Sequence, residues 1–388
     1  MIKFPMLKDQ YQRYEDEAIR LRRMFHQIPE LSYREEKTCE AILKTLESYG
    51  ICDAKRMFGT GVCVTLGDSH KECIALRMDI DGLPVSEQND LPYRSVHEGK
   101  MHACGHDFHI AILLTTAKIL KEYEDCLPVS VKLIFQPGEE GDGGALPMIQ
   151  EGVLQNPSVS RVFGAHVWPE LSVGTLQWVE GASFAGCDRY ELKFTGKGGH
   201  GALPQSAHSP LPALSEAIGK ITALSNQFPH AVVSVCACQS DGFHNVFSET
   251  ATLLGTIRTL QEEDRTAIFH ALSQIAQEIT RQTGTKTEFF PVEEYPPLYN
   301  HPDALRQLQQ AAVHSVGEEN VLEGVATYAA EDFSYFCREV PSAHLRIGCT
   351  KAGDTPYPLH NPRFLPQEDC LMVGVRLFCN LIFGKNIF

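Results

Sequence analysis

ECIALRMDID, residues 72–81, decides how this chain is read. Its first half is an apolar run too short for an ordinary helix, and it predicts a strand buried on both faces. Its second half alternates Arg77, Met78, Asp79, Ile80 and Asp81, so two carboxylates stand at a strand end. GVCVTLG (61–67), VSVKLIFQ (129–136) and RVFGAHVWP (161–169) are β-rich runs of the same kind. Helical patterns fall around them, at 12–25, 34–48 and 109–125. In the second, Cys39, Ile42, Leu43 and Leu46 recur at i, i+3, i+4 and i+7, one apolar face of a helix. Strands alternating with helices predict an α/β fold with a mixed sheet and helices on both of its faces.

The pattern changes near Cys187. RYELKFTG (189–196) alternates as a half-buried strand, a helix follows at about 210–226, then AVVSVCACQ, ETATLLGTIRTL, a second helix and KTEFFPVEEY. In that second helix Ile268, Leu272, Ile275 and Ile279 share a face. The order β-α-β-β-α-β predicts a ferredoxin-like α+β domain over 187–296. After Pro296-Pro297 come a helix (302–316), AAEDFSYF, the strand AHLRIGC, LHNPRF and a C-terminal helix. The reading is one domain of 1–186 and 297–388 with a second inserted in it.

A chain of 388 residues suits two or three domains. With 34 Lys+Arg against 49 Asp+Glu the formal charge is −15, which argues against nucleic acid or an anionic membrane as main partner. No apolar run reaches the roughly 18 residues of a membrane span. The first 25 residues lack the apolar core and cleavage site of a signal peptide, so a cytoplasmic location is expected. The thirteen cysteines are scattered, and Cys63, Cys73, Cys236 and Cys238 sit in apolar, strand-like settings. All except Cys104 are expected to be buried, reduced thiols.

Cys104 lies in KMHACGHDFH (100–109), two residues before His106 in a glycine-containing turn. Cys-x-His alone is weak, and His102 or His109 could be ordinary, His109 merely starting the helix. Glu139-Glu140 ends one apolar strand, His166 lies in another, and His360 falls in the loop PLHNP. Each has a bland reading: a solvated pair, a core histidine, a turn cap. Together they occupy similar strand-to-loop transitions, where ligands bind α/β sheets. Thiolate, imidazole and carboxylate suit Zn²⁺, Ni²⁺, Co²⁺ or Mn²⁺, and five such groups can hold two ions. Adjacent glutamates allow one to coordinate and the other to act as general base. Asp79 or Asp81 could orient a ligating histidine. GKGGHGALP (196–204), with His200, lacks the order of a phosphate-binding loop.

RMDIDGLP, GKMHACGHDFH, FQPGEEGDGGA, GAHVWP, GKGGHGALP, NVFSETATLLGTIR, EDFSYF and PLHNPRF, in this order, resemble a family of metal-dependent amidohydrolases and metallopeptidases. Its members include aminoacylases, hippurate hydrolases, indole-acetyl-amino-acid hydrolases and N-acetyl-diaminopimelate deacetylases. The resemblance runs from RRMFHQIPELSYREE (22–36) to the C-terminal helix. It implies a catalytic α/β domain and an inserted lid that also forms a homodimer. It implies two divalent ions (Zn, Mn, Ni or Co) on Cys104, His106, Glu140, His166 and His360, with Glu139 as general base and Asp79 supporting the metal centre. His200 matches a lid histidine that steadies the oxyanion, from its own or the partner subunit, and Asn245 and Arg258 match lid positions near the substrate. The implied reaction is hydrolysis of the amide bond of an N-acyl amino acid. The alternatives are a dipeptidase or carboxypeptidase of the same chemistry, a thiol hydrolase using Cys104, and a metal-binding dimer without turnover. The chain departs from the family at Gly138 and Gly82, where alanine is common, and in NVFSE, where NVIPD is common.

Overall fold

The computed structural model describes residues 7–388. The first six residues, part of the stretch read for a signal peptide and of the outer domain, lie outside the described residues. The chain forms two compact units. One contains residues up to Gly181, Tyr299–Val325 and Asp332–Phe388; the other contains Ala182–Leu298 and Ala326–Glu331.

The first unit carries an eight-stranded mixed sheet. Its order is Lys55–Met57, Gly61–Leu66, Ser130–Gln136, Cys73–Asp79, Val159–Ser172, Ser342–Thr350, Leu176–Trp178, Val321–Glu323. Cys73–Asp79 runs parallel to both of its neighbours, and Ser342–Thr350 runs parallel to Val159–Ser172. Four parallel strands therefore end on the same edge, where ligand-binding loops gather. Every residue of Cys73–Asp79 and Ser130–Gln136 is buried. Because side chains alternate, Ile74, Leu76 and Met78 join the main core. Arg77 and Asp79 fall on the other face, where Asp332 and Gln136 meet Arg77.

Helix His106–Glu122 is buried on nearly all sides, packed with helices Leu7–His26, Glu36–Ser48 and Cys370–Phe383. The sequence places its start at His109; the structure starts it at His106. Gly105 makes this possible, with φ of 90° at the N-cap. A Cβ there would come within 2.5 Å of Val167 Cγ2. His106 thus sits in the first turn rather than in a preceding loop.

The second unit is a four-stranded antiparallel sheet ordered Ala231–Ser240, Thr250–Thr259, Gly186–Thr195, Lys286–Tyr295, with helices Leu211–Ser225 and Glu262–Thr283. This is the ferredoxin-like order, closed by a core that includes Leu192, Phe194, Ile221, Leu253 and Leu272. Ile268, Leu272 and Ile279 are buried, whereas Ile275 is only partly so and Ala276 fills the row.

All thirteen cysteines are free thiols, but the expectation of uniform burial fails at Cys52, Cys236 and Cys238, which are exposed. For the last two the reason is position. Ala231–Ser240 is an edge strand, bulged between Val235 and Ala237, and burial fades beyond the bulge. Among the described residues no helix is long and apolar enough to cross a membrane.

Candidate metal centre

The five side chains singled out as ligands all belong to the first unit, and the fold brings them together. Ligand atoms of Cys104, His106 and His166 lie within 4.8 Å of one another, as do those of Cys104, Glu140 and His360, and those of His106, Glu139 and Glu140. Cys104 Sγ is 3.3 Å from His166 Nε2. His360 Nε2 is 3.1 Å from Glu140 Oε1. His360 has a φ of 66°, and its N–H donates to Ala103 O at 2.8 Å, tying its loop to the Cys104 turn. Glu139 and Glu140 follow Gln136 by a Pro-Gly step; the Gly138 N–H donates to Glu35 Oε1 at 2.9 Å.

Two of the three candidate imidazoles, His166 and His106, are oriented from behind. His166 Nδ1 donates to Val167 O at 2.6 Å, so Nε2 keeps its lone pair on the Cys104 side. His106 Nδ1 lies 3.2 Å from Asp81 Oδ1. Asp81 Oδ2 accepts from the Glu140 N–H at 3.0 Å and from Ser32 Oγ at 2.7 Å. Asp79 Oδ1 lies 3.5 Å from His106 Nε2 and accepts from His109 Nδ1 at 2.5 Å. Asp81 therefore sits behind His106, while Asp79 reaches it from the ligand side.

Two atoms test whether cations fit. His106 Nε2 is buried without a hydrogen-bond partner, which costs about 1–3 kcal/mol if nothing fills it, and Glu140 Oε1 is buried beside His360 Nε2 at 3.1 Å, outside good hydrogen-bond geometry. The charges agree. Burial alone would push the His106 imidazole down, but Asp79, Asp81 and Glu140 outweigh it and raise it to about 10. Burial, then Glu140 and Glu139, push the Cys104 thiol well up. The pocket thus holds more negative charge than its own side chains balance, and a divalent cation would supply what is missing. The same facts oppose a nucleophilic Cys104. Burial keeps His166 neutral, well below its ordinary value. His166, the imidazole 3.3 Å from the thiol, therefore does not supply the imidazolium that would make a thiolate.

Sequence reading passed over several groups beneath the site. Arg77 donates to Asp79 Oδ2 at 3.0 Å, to Gln136 Oε1 at 2.7 Å and to Asp332 Oδ1 at 2.6 Å. Asp332 also accepts from Gln136 Nε2 and from the Ala145 N–H. The signals were present: a charged Arg77 inside an apolar strand, Asp332 within EDFSYF, and His109 three residues after His106 on one helix face.

His200, Asn245 and Arg258 belong to the second unit. Val246 pairs with His200 across a two-residue ladder, and the Gly201 N–H donates to Asn245 O at 2.7 Å. His200 and Asn245 are thus exposed neighbours on one small ribbon. Arg258 lies in the main sheet between Cys187 and Val232.

The sequence profile described as Peptidase family M20/M25/M40 matches residues 75–383. The chain is 33% identical over 378 residues to an IAA-amino acid hydrolase of Arabidopsis thaliana, covering 94% of this chain and 85% of that one. It is 34% identical over 363 residues to an N-acetyl-L-cysteine deacetylase of Bacillus subtilis, covering 92% and 85%. A crystal structure of a dinuclear metal-binding M20-family peptidase from Bacillus subtilis superposes with a TM-score of 0.84 at 31% identity, over 96% of this chain and 98% of the other.

Proposed function

The chain belongs to peptidase family M20/M25/M40 and is a metal-dependent amidohydrolase, and from that premise we propose that it cleaves N-acyl amino acids to a carboxylic acid and a free amino acid. The observation that carries this is the convergence of a thiol, three imidazoles and a carboxylate, with a second carboxylate in the same cluster. Cys104, His106, Glu140, His166 and His360 would hold two divalent ions of the zinc, manganese, nickel or cobalt kind. When bound, such ions lower the pKa of water to about 7 and polarise the acyl oxygen.

In this reading Glu139 takes a proton from the attacking water and delivers it to the leaving amine. Its placement in one group with His106 and Glu140 supports that role. Asp79, which reaches His106 from the ligand side, supports the metal centre with its negative charge. His200 is assigned to the developing oxyanion, from its own or a partner subunit, and Asn245 and Arg258 to the carboxylate of the amino acid, for which an arginine fork is suited. The inserted unit is assigned as lid and dimerisation domain, and the protein as a cytoplasmic homodimer. The named activities of the two relatives described above support an N-acyl amino acid over a dipeptide.

The test is hydrolysis of a panel of N-acetyl, N-benzoyl and N-indole-acetyl amino acids, with dipeptides alongside, by metal-loaded protein. Glu139→Ala is expected to retain both ions and lose about 10²–10⁴ in kcat. Turnover near that of the parent would remove Glu139 from the mechanism. Iodoacetamide that abolished activity in a chelator-resistant enzyme would favour the Cys104 thiol reading.

A further inference from the structure

Val167 is held at both of its backbone groups. Its N–H donates to His109 Nε2 at 3.0 Å, and its carbonyl accepts from His166 Nδ1 at 2.6 Å. A backbone N–H can only donate, so His109 Nε2 bears the lone pair and its proton sits on Nδ1. That nitrogen faces Asp79 Oδ1 at 2.5 Å, while Asp79 Oδ2 accepts from Arg77. A carbonyl can only accept, so His166 carries its proton on Nδ1 and turns the Nε2 lone pair toward Cys104. One line of bonds therefore runs Arg77, Asp79, His109, Val167, His166. All four side chains are buried: Arg77 and Asp79 at 1% exposure, His109 at 0% and His166 at 5%.

His109 stands within 4.8 Å of Asp79 and His106 in a group of metal-capable atoms. Its hydrogen bonds settle which role it has. Both ring nitrogens are engaged, one as acceptor and one as donor, so neither offers a lone pair to a cation. We propose that His109 is a positioning residue: it anchors the Val167 backbone at its N–H, and the carbonyl of the same residue fixes the ring orientation and tautomer of the metal-binding His166. The proposal rests on the reading of His166 as a ligand. It gives His109 an effect on one ion through the backbone of one residue, without coordination, as outer hydrogen-bonding partners tune metal sites elsewhere.

The test is cobalt titration of the full-length chain, read by the visible d–d bands and the thiolate-to-cobalt band of Cys104. Wild type is expected to take two ions. His109→Leu is expected to weaken one of them about 10- to 100-fold and leave the thiolate band in place. His109→Gln retains one donor and one acceptor and is expected to recover most of that loss, which restored packing alone would not do. A folded His109→Leu chain that titrates like wild type would overturn the proposal. If the leucine variant does not fold, hydrogen exchange at the Val167 amide of wild type decides: strong protection supports the anchor, and rapid exchange overturns it. A wild-type chain that bound no cobalt would instead overturn the five-ligand reading, while the amide protection would still report the bond line.

Discussion

Gly138 shows what one residue demands of its neighbours. Its φ is 70°, and a Cβ would lie 2.3 Å from Tyr33 Cε1. Tyr33 cannot swing away freely: its hydroxyl donates to Gly143 O at 3.0 Å and its ring meets Phe58 edge-on. Gly138→Ala should therefore cost about 1–3 kcal/mol through overpacking and backbone strain. It should also lower kcat/KM, because Glu139 and Glu140 follow directly. Thermal unfolding and steady-state kinetics check this. Adding Tyr33→Ala should recover the steric part; a double variant no better than the single one would locate the problem elsewhere. Glu35 makes a pH prediction. Burial, with Asp81 adding to it, raises its carboxyl from about 4.5 to about 7, although Thr60 donates to it. A raised folded value favours the protonated folded state. Its stabilisation is thus complete below about pH 4.5 and is lost as pH rises through about 7. Between pH 5 and 8 the metal-free wild type should lose on the order of 2 kcal/mol relative to Glu35→Gln. Urea melts at the two pH values measure the difference; parallel curves would refute the assignment.

At the scale of elements, the buried Arg77–Asp332 pair joins Cys73–Asp79 to the segment that leads into helix Ser334–Glu339. Arg77 is 1% exposed and Asp332 is fully buried, with 2.6 Å between them. Desolvating such a pair is expensive, so the pair as a whole adds little; losing one partner is what costs. Arg77→Met should destabilise by about 3–5 kcal/mol, since it leaves two buried carboxylates without their cation. Arg77→Met with Asp332→Leu should regain part of that. A double-mutant cycle by denaturant unfolding tests the claim, and purely additive losses would contradict it. Helix His106–Glu122 was legible in its apolar run but not in its first turn. Its start depends on Gly105 packing against Val167, a contact made only when helix and strand come together. For the same reason His109 looked like an ordinary helix-starting residue: the groups that engage it lie 30 and 58 positions away in the chain.

In the whole molecule, assembly and metal binding depend on surfaces and groups drawn from distant parts of the chain. Ala231–Ser240 is an edge strand whose outer half is exposed, and an open edge is a template for pairing. The proposed homodimer would use it. Lysines at Cys236 and Cys238, both exposed, should shift the protein toward monomer in light scattering, because charge on an edge blocks strand addition. An unchanged mass would place the interface elsewhere. Removing the ions with a chelator should lower the melting temperature, since ions held at a thousandfold excess over Kd contribute about 4 kcal/mol per site. A melt insensitive to chelation would show that the five groups hold nothing.

Read alone, the sequence determined the class of fold, the inserted ferredoxin-like domain and which Cys, His and Glu side chains were candidates for one cluster. Apolar periodicity, Gly and Pro punctuation and the chemistry of Cys, His and Glu are local properties, written in neighbouring residues. Only the tertiary structure decided which carboxylate backs which histidine, that His106 opens its helix, that Cys236 and Cys238 face outward, and that Arg77 bonds to Asp332 and His109 to Asp79. Those outcomes depend on strand order and on the parallel alignment that stacks four strand ends at one edge. A hydrogen bond between residues 58 positions apart exists only once that alignment has formed.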